Sequence, residues 1–428
     1  MENLRGAVNG RLHFDGCDAV ELAETYGTPL YVMSETALRE RLREIKRDFV
    51  DAYPDAFAVY ASKAYQTLDM CRLVSAEGLG LDVVSGGELH AALKAGFDPE
   101  KIYFHGNGKT VGELREAVAA RVGRVVVDSL DELRALDRVA REAGVRQRIL
   151  FRVTPGVDSH THSYVSTGTL DSKFGIPLDP RVRDEHLAAA LSAPGVELLG
   201  FHFHVGSQLM GPESHLLALE VLVGLMEEAR SRFGFETKEL NMGGGFGVRY
   251  VEGDEPAPPA AFVRAMMAGL ERLCAAAGLR RPRVVIEPGR FVVGEAGMTL
   301  YRVSSVKEIP GVKTWVAVDG GMTDNPRPAL YGAEYEAVLA NKYGAAPGRV
   351  CSIAGKCCES GDVLVRDVAL PDPQAGDLVA VFTTGAYNHS MASNYNRALR
   401  PAVVLTSAGA HRLSVRRETY DDLLVREL

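Results

Sequence analysis

The chain has 428 residues, 46% of them hydrophobic, enough for a sizeable core and for more than one domain. A formal net charge of −8, with no long Lys/Arg stripe, argues against nucleic acid as a partner. No apolar run reaches bilayer-spanning length and the start MENLRGAVNG lacks the pattern of a secretory signal, so a cytoplasmic, non-membrane protein is expected; six cysteines without framework spacing read as reduced thiols.

The first 34 residues read as an arm ending in the strand-like TPLYVMS, 28–34, that partly joins a later β domain. From there to residue 290, short apolar or β-branched runs alternate with segments of helical period, the pattern of repeated βα units. The strand candidates are FAVYA (57–61), LDVV (81–84), KIYFH (101–105), RVVVD (124–128), RILFRV (148–153), LLGFHF (198–203), ETKELNM (236–242) and RVVIE (283–287). Eight such units close into a (β/α)8 barrel over 35–290. The alternative, a doubly wound open sheet, predicts a Gly-rich loop after the first strand, where this chain has SKA. After residue 290 helical period almost disappears and FVVGEAGMTLYRVSSVKEI, KTWVAVDGG, RVCSIAG, DVLVRDVAL, DLVAVFTTG and AVVLTS read as strands, giving a mostly β, barrel-like domain over 291–428.

Barrel chemistry comes from the C-terminal ends of the strands. Lys63 follows the first strand; by its local tripeptide it is an ordinary loop lysine, but a tethered amine there can hold an aldehyde cofactor as a Schiff base and move protons. NMGGGFG (241–247) follows the seventh strand. A side-chain-free turn leading into a helix can cradle phosphate, with Gly245 and the hydroxyl of Ser207 as candidate donors, although glycines also serve simply for tight turns. Glu287, fixed by VVI before and Pro-Gly after, can keep a pyridine nitrogen protonated. His202 and His204 alternate on one strand face and invite a metal reading, but no clear third ligand stands among the other histidines; His204 is favoured as a flat ring against the cofactor, His202 as a packed neighbour. Together these groups read as a pyridoxal 5'-phosphate site without metal.

Arg290 from the barrel side, and Arg327 and Tyr331 in the β domain, are candidates to hold a distal carboxylate, each arginine having an ordinary ion-pair role as its competitor. Cys358 could deliver a proton to a reaction centre, Glu359 could meet an ammonium group and Tyr387 could reach substrate or phosphate, with a packed thiol, a surface acid and a core tyrosine as their ordinary alternatives.

The chain resembles the fold-type III, pyridoxal phosphate-dependent amino acid decarboxylases over essentially its full length. The general signals are Lys63, the triglycine and EPGR; the discriminating blocks are DGGMTDNPRPALY and GKCCESGD. The resemblance implies that Lys63 bears the cofactor, that His204 stacks on its ring, and that Gly245 with the backbone of Glu287, Pro288, Gly289 and Arg290 binds its phosphate. It implies that Arg290, Arg327 and Tyr331 take the distal carboxylate, Glu359 the substrate ammonium, and that Tyr387 bridges substrate and cofactor. In such enzymes Cys358 and Glu359 act across a homodimer with two shared sites. The implied reaction is decarboxylation of meso-2,6-diaminopimelate at its D centre to L-lysine, with ornithine, arginine or carboxynorspermidine as alternative substrates. Two departures from the family pattern are Tyr65, where Asn is usual, and Cys357, where His is frequent.

Overall fold

A computed structural model describes residues 4–157 and 172–428. The chain divides into two compact units: one comprises residues 42–247 and 255–289, the other residues 1–41, 248–254 and 290–428.

The first unit is built on eight parallel strands, each at the position its apolar run predicts: β1 (Ala56–Ala61), β2 (Gly80–Val83), β3 (Ile102–Phe104), β4 (Arg124–Val127), β5 (Gln147–Thr154), β6 (Val196–His202), β7 (Glu239–Asn241) and β8 (Arg283–Ile286). The ring closes through parallel pairing of β8 with β1, where Val285 faces Phe57 across the ladder, so the open-sheet alternative does not hold. Closure leaves no exposed edge and makes residues at the two ends of the barrel sequence neighbours. Inside the ring Val59, Tyr103, Val126, Leu150, Leu199 and Val285 form one buried cluster. A buried carboxylate, Glu239, accepts from Tyr103 Oη at 2.9 Å and from Arg124 Nη2 at 2.9 Å, so its charge is paired inside the barrel.

Seven helices follow the first seven strands: α1 (Leu68–Ala76), α2 (Gly86–Lys94), α3 (Val111–Ala120), α4 (Leu130–Glu142), α5 (Pro180–Ser192), α6 (Glu213–Phe233) and α7 (Pro259–Ala276). The first four start on hydroxyl caps: Thr67, Ser85, Thr110 and Ser129 each accept from the backbone N–H three residues on. Thr110 and Glu113 complete a capping box. Such caps satisfy otherwise orphaned donors and fix where each strand-to-loop segment stops, which is what holds the loops above the barrel in place.

The second unit is mostly β. Its sheet runs in the order Val363–Leu370, Arg349–Ala354, Lys313–Val318, Gly297–Ile309, Leu30–Ser34, Ala402–Ser407, Ala410–Val415. The arm strand Leu30–Ser34 is fully buried between Gly297–Leu300, antiparallel, and Ala402–Thr406, parallel. Its core brings Leu12, Phe14 and Leu30 from the arm against Met298, Leu300, Phe382 and Val404.

Two readings of local structure change. Residues 291–293 are not strand: after Pro288-Gly289 the chain makes a buried helical turn, Arg290–Val293, closed by Gly294 N donating to Arg290 O at 2.8 Å. The triglycine does not open a helix either; α7 begins only at Pro259, and residues 248–254 belong to the second unit.

Candidate functional site

The C-terminal ends of the barrel strands carry the chemistry. Lys63 sits in the 3-10 turn Ser62–Ala64 directly after β1. That turn is pinned to β2: Ser62 Oγ donates to Asp82 O at 2.5 Å, and Ala61 and Asp82 are register partners. Asp82 is 1% exposed. Burial raises its pKa, opposed by the charges of His105 and Lys63. Beside it Glu88 accepts from Val84 N at 2.7 Å, and burial pushes its pKa up to about 7. The lysine therefore stands next to two acids that give up their protons reluctantly.

Glu287, one residue past β8, is the centre of a second network. His202 Nε2 lies 3.0 Å from its Oε2 and His105 Nε2 lies 2.7 Å from its Oε1, while Asn241 Nδ2 donates to Oε1 at 2.6 Å. Burial alone would raise this carboxyl, but the neighbouring imidazoles outweigh it and hold the pKa well below the usual range. His202, 1% exposed, is driven by burial down to about 3, so it is a neutral ring whose Nε2–H donates to the carboxylate. The outcome is an ionised carboxylate fixed by three partners from β6, β7 and the loop after β3. His105, His202 and Glu287 offer atoms within 4.8 Å of one another, a set that a metal ion could also use; His204 is not among them, so the two-histidine metal pair suggested by strand alternation is not formed.

His204 instead turns to the glycine loop, where its Nδ1 accepts from Gly244 N at 3.4 Å. Burial, then Lys63 and Arg152, keep its pKa well below 6.5, which leaves that nitrogen free to accept. The loop admits no side chain. A Cβ at Gly244 would strike Glu287 O, one at Gly245 would strike Gly206 O, and Gly243 and Gly245 have φ of +68° and +105°. The segment carrying Ser207 is thereby packed backbone to backbone on the triglycine, and Ala61 N donates to Pro288 O at 3.1 Å, bringing EPG onto the end of β1. His215 of α6, which the sequence reading passed over, is fully buried and meets Gly244 O through Nε2 at 3.0 Å.

These features fit pyridoxal phosphate. A cradle without Cβ atoms suits a phosphate, a neutral ring at His204 suits stacking, and an ionised Glu287 suits a protonated pyridine nitrogen. Lys63 would bind its aldehyde carbon.

The second unit gathers the other candidates around Tyr387. The Arg290 guanidinium lies 5.0 Å and that of Arg327 5.5 Å from the Tyr387 ring centroid, and Arg327 is 5.0 Å from the Tyr331 ring. Arg290 also donates to Tyr250 Oη, a residue that sequence reasoning missed. Both arginines are buried, and Arg327 Nε has no hydrogen-bond partner among the described residues. Tyr387 holds this place with φ of +62°, a conformation unusual for a bulky residue. Cys358 and Glu359, by contrast, are exposed. Their loop is braced by Asp362, which accepts from Met322 N and Cys357 N at 2.7 and 2.8 Å, and by Asn396, which accepts from Cys358 N at 2.8 Å.

Residues 38–294 match the pyridoxal-dependent decarboxylase family through its pyridoxal binding domain, and the chain belongs to that family. It is a pyridoxal phosphate-dependent carboxy-lyase by kinship as well as by fold. It is 48% identical over 420 residues to the diaminopimelate decarboxylase of Bacillus subtilis, covering 98% of this chain and 96% of the relative. It is 43% identical to the diaminopimelate decarboxylase of Synechocystis, covering 97% and 90%. Among solved structures, diaminopimelate decarboxylase from M. jannaschii in complex with L-lysine superposes with a TM-score of 0.93 at 35% identity, covering 100% of this chain and 98% of that one.

Proposed function

We propose that the protein removes carbon dioxide from meso-2,6-diaminopimelate at its D centre and releases L-lysine, the last step of lysine formation. The observation that carries this reading is similarity to diaminopimelate decarboxylases along nearly the whole chain, including the second unit. The pair of buried arginines at Tyr387 supports it, because this substrate differs from ornithine or arginine in presenting a second carboxylate.

When bound, pyridoxal phosphate supplies the electron sink for the pair left on the α carbon. The protein's part is positioning and proton control. The glycine loop with Ser207 would hold the phosphate, and the neutral imidazole of His204 would serve as the stacking partner of the ring. Glu287, held ionised by His105, His202 and Asn241, keeps a proton on the pyridine nitrogen. Lys63 would hold the cofactor through its amine, and that amine, beside the buried acids Asp82 and Glu88, is placed to carry protons. Arg290, Arg327 and Tyr331 take the distal carboxylate, Glu359 the ammonium group beside it, and Tyr387 spans substrate and cofactor. Cys358 delivers the proton that replaces carbon dioxide. The exposure of Cys358 and Glu359 agrees with their serving a partner subunit's site in a cytoplasmic homodimer.

Turnover with meso-2,6-diaminopimelate against ornithine and arginine tests the assignment: lysine from the first and no amine from the others is the expected result.

A further inference from the structure

The motif LRRPR, residues 279–283, takes no part in the chemistry above. It forms one wall of a cleft of about 580 Å³ at the N-terminal ends of β7, β8 and β1, the end of the barrel away from Lys63 and Glu287. Arg230, Lys238, Arg280, Arg281 and Arg283 line it, against the carboxylates of Asp55 and Glu236. In a chain of net charge −8 this is a local reversal of sign.

Part of this charge has a structural use. Arg230 donates to Gly278 O at 2.7 Å and Lys238 pairs with Glu197 at 2.8 Å. The three arginines of the motif are differently placed. Arg281 spends Nη2 on Pro54 O at 2.8 Å, its nearest carboxylate, Glu271, is 3.9 Å away, and its buried Nη1 has no partner among the described residues. Arg283 lies over the Phe57 ring, 4.9 Å from its centroid, and 3.9 Å from Glu239, a carboxylate already occupied by Arg124 and Tyr103. Arg280 is exposed, with no hydrogen bond or ion pair among the described residues. Thr237 Oγ1, which also lines the cleft, is buried and without a partner among the described residues. Pro282 fixes the backbone between Arg281 and Arg283, and Arg281 is anchored on Pro54 O.

We infer that this cleft is a binding site for a small phosphate-bearing anion. Guanidinium groups offer planar, paired donors suited to phosphate oxygens, and a concave surface concentrates the field of like charges. Its volume lies within the range of small-ligand sites. The inference does not depend on which amino acid the enzyme decarboxylates.

The test is calorimetric titration of the cofactor-loaded protein with inorganic pyrophosphate and with ATP. Visible absorbance is followed in parallel to confirm that the cofactor stays bound. The expected result is saturable binding of one anion per chain, weakened at least tenfold in an Arg280→Gln, Arg281→Gln double variant and by added salt. Glu236→Gln, an exposed change that leaves the arginines intact, should tighten it twofold or more. Equal affinity for the two probes assigns the site to the phosphate chain alone, and tighter ATP assigns it to a nucleotide; either supports the inference. Absence of saturable binding, or unchanged affinity in both variants, overturns it.

Discussion

Glu287 Oε2 lies 3.0 Å from His202 Nε2, with both side chains shut away from solvent. The strand that carries His202 and the one that Glu287 directly follows are separated by β7, whose Asn241 supplies the third contact. A buried carboxylate without such donors would take up a proton. Here His105 and His202, with the Asn241 amide, keep it charged, and the electron-withdrawing function proposed for the cofactor depends on that charge.

Asn241→Ala therefore removes a charged hydrogen bond from a group that stays buried. The expected cost is about 1.5–3 kcal/mol of folding stability, read from denaturant unfolding of the cofactor-free protein. A loss under about 0.5 kcal/mol would mean that Glu287 does not rely on this amide.

His215 predicts a pH effect. Burial lowers its pKa from 6.5 to about 4, so as pH falls the unfolded chain takes up a proton before the folded one does. The stability tied to this histidine is fully present above pH 6.5 and is lost as pH falls to about 4. Its size is on the order of 3 kcal/mol. His215→Gln, which cannot charge, should flatten the stability profile across that interval; an unchanged slope would remove His215 from the account. Because His215 also meets Gly244 O at 3.0 Å, the same variant should bind pyridoxal phosphate more weakly at neutral pH.

Arg290→Gln or Arg327→Gln should raise KM for diaminopimelate ~30-fold or more, following loss of a buried charged contact of about 2–5 kcal/mol. Cofactor absorbance should be unaltered. A fall in kcat at constant KM would assign the arginines to some task other than holding the distal carboxylate.

Cys358→Ser should lower kcat by ~10²–10⁴, the usual range for loss of a positioned proton donor, without changing cofactor affinity. Undiminished lysine formation would show that another group protonates the α carbon.

The barrel was legible because its eight strands are short, apolar and regularly spaced, and the ends of β1 and β8 carry Lys63 and Glu287 in recognisable settings. The partners of Glu287 were less so. His105 ends a strand candidate, and Asp82 interrupts an apolar one, each a visible signal of a polar group aimed at the barrel mouth. Asn241 and His215 gave no such signal: one precedes the triglycine as an ordinary strand residue and the other looks like a polar position on a long helix. Tyr250 escaped notice because it lies in a loop between barrel elements yet belongs to the second unit, a relation that only the folded chain reveals. The strand expected at 291–293 is helical because apolar content alone does not separate a buried strand from a buried helical turn.

The most direct test incubates the protein with pyridoxal phosphate and meso-2,6-diaminopimelate and quantifies carbon dioxide and L-lysine by mass spectrometry, with Lys63→Ala in parallel. Equal amounts of the two products, absent from the Lys63→Ala sample, are predicted. Formation of neither product, while the wild-type protein still shows the visible absorbance of lysine-bound cofactor, would contradict the assigned substrate.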